Sequence, residues 1–235
     1  MSDKKIKALI FDVFGTVVDW RKTITRRLNS FLPEDLSDSD LESFATEWRK
    51  GYSDYIKEFN DQNQTWKIVD EIHKNKLIKL LKDFKLIDKM NDHSIDKLNQ
   101  IWHQLDPWED SVEGLTLLKN KFSIGTLSNG NFSLLLNMSK YSKLSWDFIF
   151  SGDIFLKYKP NEYVYKKATE YLGLETNEVM LVAAHENDLL AAEKSGLKTA
   201  YVHRPFEYSS NAKEKPKNKF NYSCNNFLEL HQLLN

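Results

Sequence analysis

The chain has 235 residues, 41% of them hydrophobic, with 33 basic and 34 acidic side chains and a formal net charge of -1 at pH 7. That size and apolar content suffice for one large domain, or for a domain carrying a smaller insertion. The near-zero net charge supplies no global field to recruit nucleic acid or an anionic membrane, so an anionic ligand must be met locally. A single cysteine, Cys224, excludes an internal disulfide framework and a multi-cysteine zinc site, and reads as a free thiol in a reducing compartment.

The amino-terminal stretch MSDKKIKALIFDVFG begins basic, but its apolar run is shorter than the core of a secretory signal. No stretch approaches the length of a membrane span, so a cytoplasmic location is expected. The first buried strand is expected over 7–13, KALIFDV, ending in the carboxylate of Asp12.

From Val17 to about Asn99 the character changes. Helical patterns are expected over 21–31, 39–59, 66–85 and 95–104, with apolar residues such as Leu41, Phe44, Ala45, Trp48, Tyr52 and Ile56 recurring at helix period. A crossover this long is not a simple loop, so residues 17–99 are expected to form an inserted helical cap. Residues 1–16 and 100–235 would then form the core.

Strand patterns return at 122–127 (FSIGTL) and 179–183 (VMLVA), with weaker ones at 148–151 and 199–202. Helices are expected over 111–121, 132–140, 162–172 and 188–195. The fold class is therefore α/β: a Rossmann-like parallel sheet, expected to be five-stranded, with an all-helical cap. The lysine-rich segment 209–219 reads as a solvated loop before a last short strand or helix. This arrangement puts Asp12, then Ser128 with Asn129, and then the group from Ala184 to Asp188 at carboxyl ends of strands, where open α/β sheets hold their ligands.

Asp12 alone could cap the turn at Gly15 and Thr16. Its setting argues for more. Lys159 and Pro160 precede a helix, and Tyr165 follows six residues after the lysine. A lysine converging with Asp12 stabilises both charged forms, and an ionised, poorly hydrated carboxylate is a nucleophile.

These residues resemble the haloacid dehalogenase superfamily. Asp12, Gly15 and Thr16 are similar to its first motif, Ser128 to its second, Lys159 to its third and Asp188 to its fourth. Most members are magnesium-dependent phosphatases, which carry a second Asp two residues after the first and an acid in a Gly-Asp pair before the last. Here those places hold Phe14 and the pair Ala183 and Ala184. The sequence therefore looks like the type II 2-haloacid dehalogenase branch, which uses no metal or other cofactor. That branch has an aromatic residue after the nucleophile, the phrase LSNG (127–130), and a tyrosine following its Lys-Pro pair.

The resemblance implies a fold of Rossmann type with a cap, and a small-molecule 2-haloacid or haloacetate as substrate. Asp12 would displace halide and form an ester that water cleaves. Lys159 would be its charge partner; Thr16, Ser128, Tyr165 and Asp188 would orient these groups and the substrate carboxylate; Asn129 would help hold the halide. Phe14, Trp20, Trp48 and Tyr52 would supply an apolar wall or plain packing between cap and core. The fourth motif departs from the best-known members at Ala183, His185 and Asn187. A neutral His185 is expected to orient or deprotonate the ester-cleaving water. The family's cap arginine has two candidates here, Arg49 and Arg21. Two other readings stay open: another hydrolase or phosphatase of the superfamily, and a silent binding protein on the same fold. Caps of that family often pair, so a homodimer is compatible with the aromatic-rich cap.

Overall fold

A computed structural model describes residues 5–32, 36–60 and 64–235; the start of the amino-terminal stretch read above lies outside them. Strand β1 (Ala8–Phe11) and strand β4 (Val179–Ala183) are buried at every residue, as continuous apolar runs in a doubly covered parallel sheet must be. Between them in sequence come β2 (Ser123–Leu127) and β3 (Phe148–Phe150); after them come β5 (Lys198–Val202) and β6 (Tyr222–Cys224). All neighbours pair in parallel, in the order β3-β2-β1-β4-β5-β6.

The sheet thus has six strands rather than the five expected. Strand β6 is only three residues long and alternates partly buried, exposed and buried, so it carries no apolar run; pairing with β5 makes it a strand. Its Cys224 is buried and free, and burial pushes the thiol up to about 12.

The order places β1 between β2 and β4, so the chain leaves β1 in one direction for β2 and later returns on the other side for β4. Loops on either flank of that switch point diverge and leave a crevice at the carboxyl ends. Phe11 is in register with Thr126 on one side and Val182 on the other, and the Asp12 N–H donates to Val182 O at 3.1 Å. Asp12 therefore stands at the lip of the crevice.

Between β1 and β2 lie α1 (Trp20–Leu28), α2 (Asp38–Asn60), α3 (Val69–Asp83) and α4 (Asp92–Asn99), then a 3₁₀ turn at Gln100–Gln104 and α5 (Ser111–Lys119). Among the described residues of this segment no sheet strand occurs, as its helix-period pattern implied. Helix α2 buries Leu41, Phe44, Ala45 and Trp48 on one face. Trp48 and Trp20 both pack on Trp102, which also meets Phe14, so one apolar cluster runs from the helical segment into the sheet.

Helices α6 (Phe132–Tyr141), α7 (Gly152–Phe155), α8 (Glu162–Leu172) and α9 (Glu186–Lys194) cross between the later strands, and α10 (Phe227–Leu233) closes the described chain. Helix α7, a single turn after β3, has no periodicity of its own to reveal it. No helix among the described residues is long and apolar enough to cross a membrane.

Candidate active site

After β1 the chain makes a tight loop. Val17 and Val18 N–H groups donate back to Val13 O, and Gly15 takes φ +83°, in the left-handed region that favours glycine. The loop folds Thr16 over Asp12, and the Thr16 hydroxyl donates to Asp12 Oδ2 at 2.7 Å. Thr16 Oγ1 in turn accepts from the Ala184 N–H at 2.9 Å, which ties the loop after β1 to the loop after β4.

Lys159, on the loop before α8, donates to Asp12 Oδ1 at 3.0 Å and to Asp188 Oδ2. The Tyr165 hydroxyl, six residues on and fully buried in α8, donates to Asp188 Oδ1 at 2.5 Å. Asn129, after β2, locks the Lys159 loop: its Oδ1 accepts from the Lys159 N–H at 2.7 Å, and its Nδ2 donates to Lys159 O and to the Tyr52 hydroxyl. Both amide protons of Asn129 are therefore spent within the protein.

Burial of Asp12 would by itself favour the neutral acid, but the Lys159 charge, the contacts with His185 and the Thr16 hydroxyl outweigh it and hold the carboxyl far below its ordinary range. Burial would likewise lower Lys159, yet Asp12 and Asp188 lift it well above an ordinary lysine. Asp12 is 8% exposed and Lys159 7%, so the pair is an ionised couple with little water around it. Burial and the Asp188 charge push Tyr165 far up, so it remains a hydroxyl donor.

His185, at the N-cap of α9, corrects the expectation of a neutral imidazole. Its Nδ1 lies 3.0 Å from Asp12 Oδ2, and its Nε2 lies 3.0 Å from both oxygens of Glu207. Burial favours the neutral ring, but Glu207 and Asp12 together raise its pKa well above 6.5. A ring drawn toward its protonated form by two carboxylates is poorly suited to act as a base.

Around Asp12 the surface opens into a cavity of about 410 Å³. Its floor is Asp12, Ser128, Lys159, His185 and Asp188; its roof is the α2 face carrying Arg49, Tyr52, Ser53, Ile56 and Lys57; Phe14 and Tyr208 form walls. Ser128 Oγ accepts from the Gly130 N–H, which leaves its own proton for a ligand. The Arg49 guanidinium carbon lies 4.4 Å from the Tyr52 ring centre and 5.4 Å from that of Phe14, and its Nη1 is buried with no partner among the described residues.

Arg21, the other candidate, does not line the cavity; its Nη1 is turned to Glu42 at 3.4 Å. Trp20 and Trp48 are fully buried behind the wall; the Trp48 indole donates to His73 O, and the Trp20 indole donates to Glu207 Oε1 at 3.1 Å. Sequence reasoning missed Glu207 and Tyr208, from the ArgProPheGluTyr segment that follows β5. An acid just beyond a strand's carboxyl end was the available signal.

The profile of the haloacid dehalogenase-like hydrolase family matches residues 9–202. The (S)-2-haloacid dehalogenase 4A of Burkholderia cepacia is 29% identical over 86% of this chain and 87% of its own. Among solved structures, a defluorinating L-2-haloacid dehalogenase superposes with TM-score 0.92 at 36% identity, over 97% of this chain and 95% of its own. A second L-2-haloacid dehalogenase does so at 0.91 and 33%, over 97% and 98%. The family match runs from the first strand to the end of the fifth and so spans Asp12, Ser128, Lys159 and Asp188. On sequence and fold together, the chain belongs to the haloacid dehalogenase-like hydrolases.

Proposed function

We propose that the protein hydrolyses the carbon-halogen bond of short 2-haloalkanoates, with the (S)-enantiomer preferred where the carbon is chiral. The observation that carries this reading is the ionised Asp12 at the floor of a small cavity, with Phe14 rather than a second carboxylate beside it. The names of the similar dehalogenases support the substrate class and its handedness.

In this reading a carboxylate oxygen of Asp12 attacks C2, the halide departs with the bonding pair, and an aspartyl ester remains. Water then adds to the Asp12 carboxyl carbon, and the acyl C–O bond breaks. The 2-hydroxyacid leaves and Asp12 is regenerated, with one proton released to solvent. Bringing two anions together and expelling a third requires local positive potential, which Lys159, His185 and Arg49 supply in a site of low exposure. The Arg49 Nη1–H receives an anionic part of the substrate, and the Ser128 hydroxyl a carboxylate oxygen. Asn129 acts through Lys159 and Tyr52 rather than on the halide, since its amide protons are occupied. The helical segment 17–99 serves as the cap that keeps bulk water from the first step.

The test is halide release from chloroacetate, fluoroacetate and both enantiomers of 2-chloropropionate with EDTA present, beside a phosphatase assay with Mg²⁺. A single turnover in ¹⁸O-water should place the label in the Asp12 carboxylate. Phosphate release without halide would overturn the proposal.

A further inference from the structure

The buried pair of His185 and Glu207 adds to the hold that Lys159 and Thr16 already have on the Asp12 charge, and several buried contacts fix it in place. Glu207 is 3% exposed; its Oε1 accepts from the Trp20 indole at 3.1 Å. A Cβ at Gly15 would lie 1.9 Å from that same oxygen, so the glycine of the first loop is required by Glu207 as well as by its own backbone angle. Glu207 in turn clasps His185 Nε2 with both oxygens, which aims Nδ1 at Asp12 Oδ2.

The two oxygens of Asp12 are not equivalent. Among the described residues Oδ1 accepts from Lys159 alone, whereas Oδ2 accepts from the Thr16 hydroxyl at 2.7 Å and faces His185 Nδ1 at 3.0 Å. The less encumbered Oδ1 is the atom suited to attack carbon, which leaves Oδ2 as the carbonyl oxygen of the ester.

We propose that His185 and Thr16 form the oxyanion hole of the second half-reaction, stabilising negative charge on Asp12 Oδ2 while water cleaves the ester, and that Glu207 is the positioning residue for His185. The proposal rests on the ester chemistry above. In the step, the water oxygen bonds to Asp12 Cγ and the C=O π pair moves onto Oδ2. When the pair returns, the Cγ–Oδ1 bond breaks and its electrons leave on the product oxygen. One proton of the water ends on the product hydroxyl and the other in solvent. Donors at 2.7 and 3.0 Å from the atom that becomes the oxyanion have the spacing such a site needs.

A ring nitrogen facing a carboxylate must carry its proton, and both nitrogens of His185 face one, so the ring is a double donor. Its surroundings agree. Besides Asp12 and Glu207 it meets the Tyr208 hydroxyl at 3.3 Å and lies near Tyr201 of β5, with Lys159 beyond Asp12 and Glu186 and Asp188 on its own helix. The balance keeps it cationic well above pH 6.5.

The experiment compares wild type with Glu207→Gln and His185→Gln on (S)-2-chloropropionate, measuring the pre-steady-state halide burst, the aspartyl ester by intact-protein mass, and its hydrolysis from pH 6 to 9. In both variants ester hydrolysis should fall by about 10²-fold at high pH, at least about tenfold more than the burst, so that the ester accumulates. In Glu207→Gln the loss should grow with pH, because a histidine with one fewer carboxylate partner deprotonates earlier, whereas wild type stays flat through neutrality. Ester hydrolysis at the wild-type rate in both variants, or burst and hydrolysis slowed in equal proportion, would overturn the inference while leaving the aspartyl ester standing. No halide and no ester in wild type would overturn both. Should either variant fail to fold, ¹⁵N NMR of the wild-type imidazoles decides: protons on both His185 nitrogens at pH 8 support the inference, and a neutral tautomer overturns it.

Discussion

The floor and the roof of the cavity are built on opposite terms. On the floor, Asp12, Thr16, Lys159, Tyr165, His185, Asp188 and Glu207 are each bonded to another member of the group. On the roof, one side of α2 presents Arg49, Tyr52, Ser53, Ile56 and Lys57 at helical spacing; Ser53 and Lys57 are exposed, and Arg49 keeps an unpartnered Nη1. The bonded network of the floor is complete before substrate arrives, so its dipoles need no reorganisation during reaction. On the roof, Tyr52 alone of the described residues is tied to the site by a hydrogen bond, through Asn129, while Arg49 keeps a donor to offer; on the function proposed above, this is the region expected to select the ligand.

Changes to the floor should therefore be severe. Asp12→Asn should lower halide release by at least about 10⁴-fold, with no ester detectable by mass, because the amide is a poor nucleophile. Lys159→Met would leave Asp12 and Asp188 buried around a lost cation and should cost about 3–5 kcal/mol in urea denaturation as well as activity. Adding Asp188→Asn should restore part of that stability. Asp12 is held far below its ordinary 3.8, so its contribution to stability is complete above that value and fades only as pH falls toward the depressed folded value. Lys159→Met, by releasing that hold, should move the onset of acid unfolding to higher pH.

The floor was also the more legible half. Strand β4 and helix α8 were readable residue for residue, because a doubly covered strand is an unbroken apolar run and Asn161 caps α8 with its own side chain. Asp12, Ser128 and Asp188 were visible as polar residues at or just beyond carboxyl ends of strands. Strand β6 was expected only as a short strand or helix after the lysine-rich loop and not as a sixth member of the sheet, since a three-residue edge strand owes its state to its neighbour. Glu207 was hidden for a different reason: its position depends on a missing Cβ at Gly15, nearly the whole chain away. The charge of His185 likewise belongs to the trio it forms with Asp12 and Glu207, and no single residue announces it. On the roof, the choice between Arg49 and Arg21 turned on which way each helix faces, and two arginines of equal promise in sequence ended on different surfaces.

That last contrast gives the smaller, more discriminating effects. Arg49→Lys keeps the charge but loses the planar fork stacked near Tyr52 and Phe14, so KM should rise by about 10–10²-fold with a smaller change in kcat. Tyr52→Phe removes the hydroxyl that accepts from Asn129 and should cost about 0.5–1.5 kcal/mol in kcat/KM, acting through the Lys159 loop. Arg21→Ala breaks its 3.4 Å pair with half-exposed Glu42 and strips a largely covered side-chain stem, so it should cost about 1 kcal/mol of stability, with halide-release kinetics like wild type. If Arg21→Ala raised KM as Arg49→Lys does, selection would not be confined to one face of α2. The roof would then have to include the first turn of α1, which leads directly out of the Asp12 loop, and its separation from the floor would fail there.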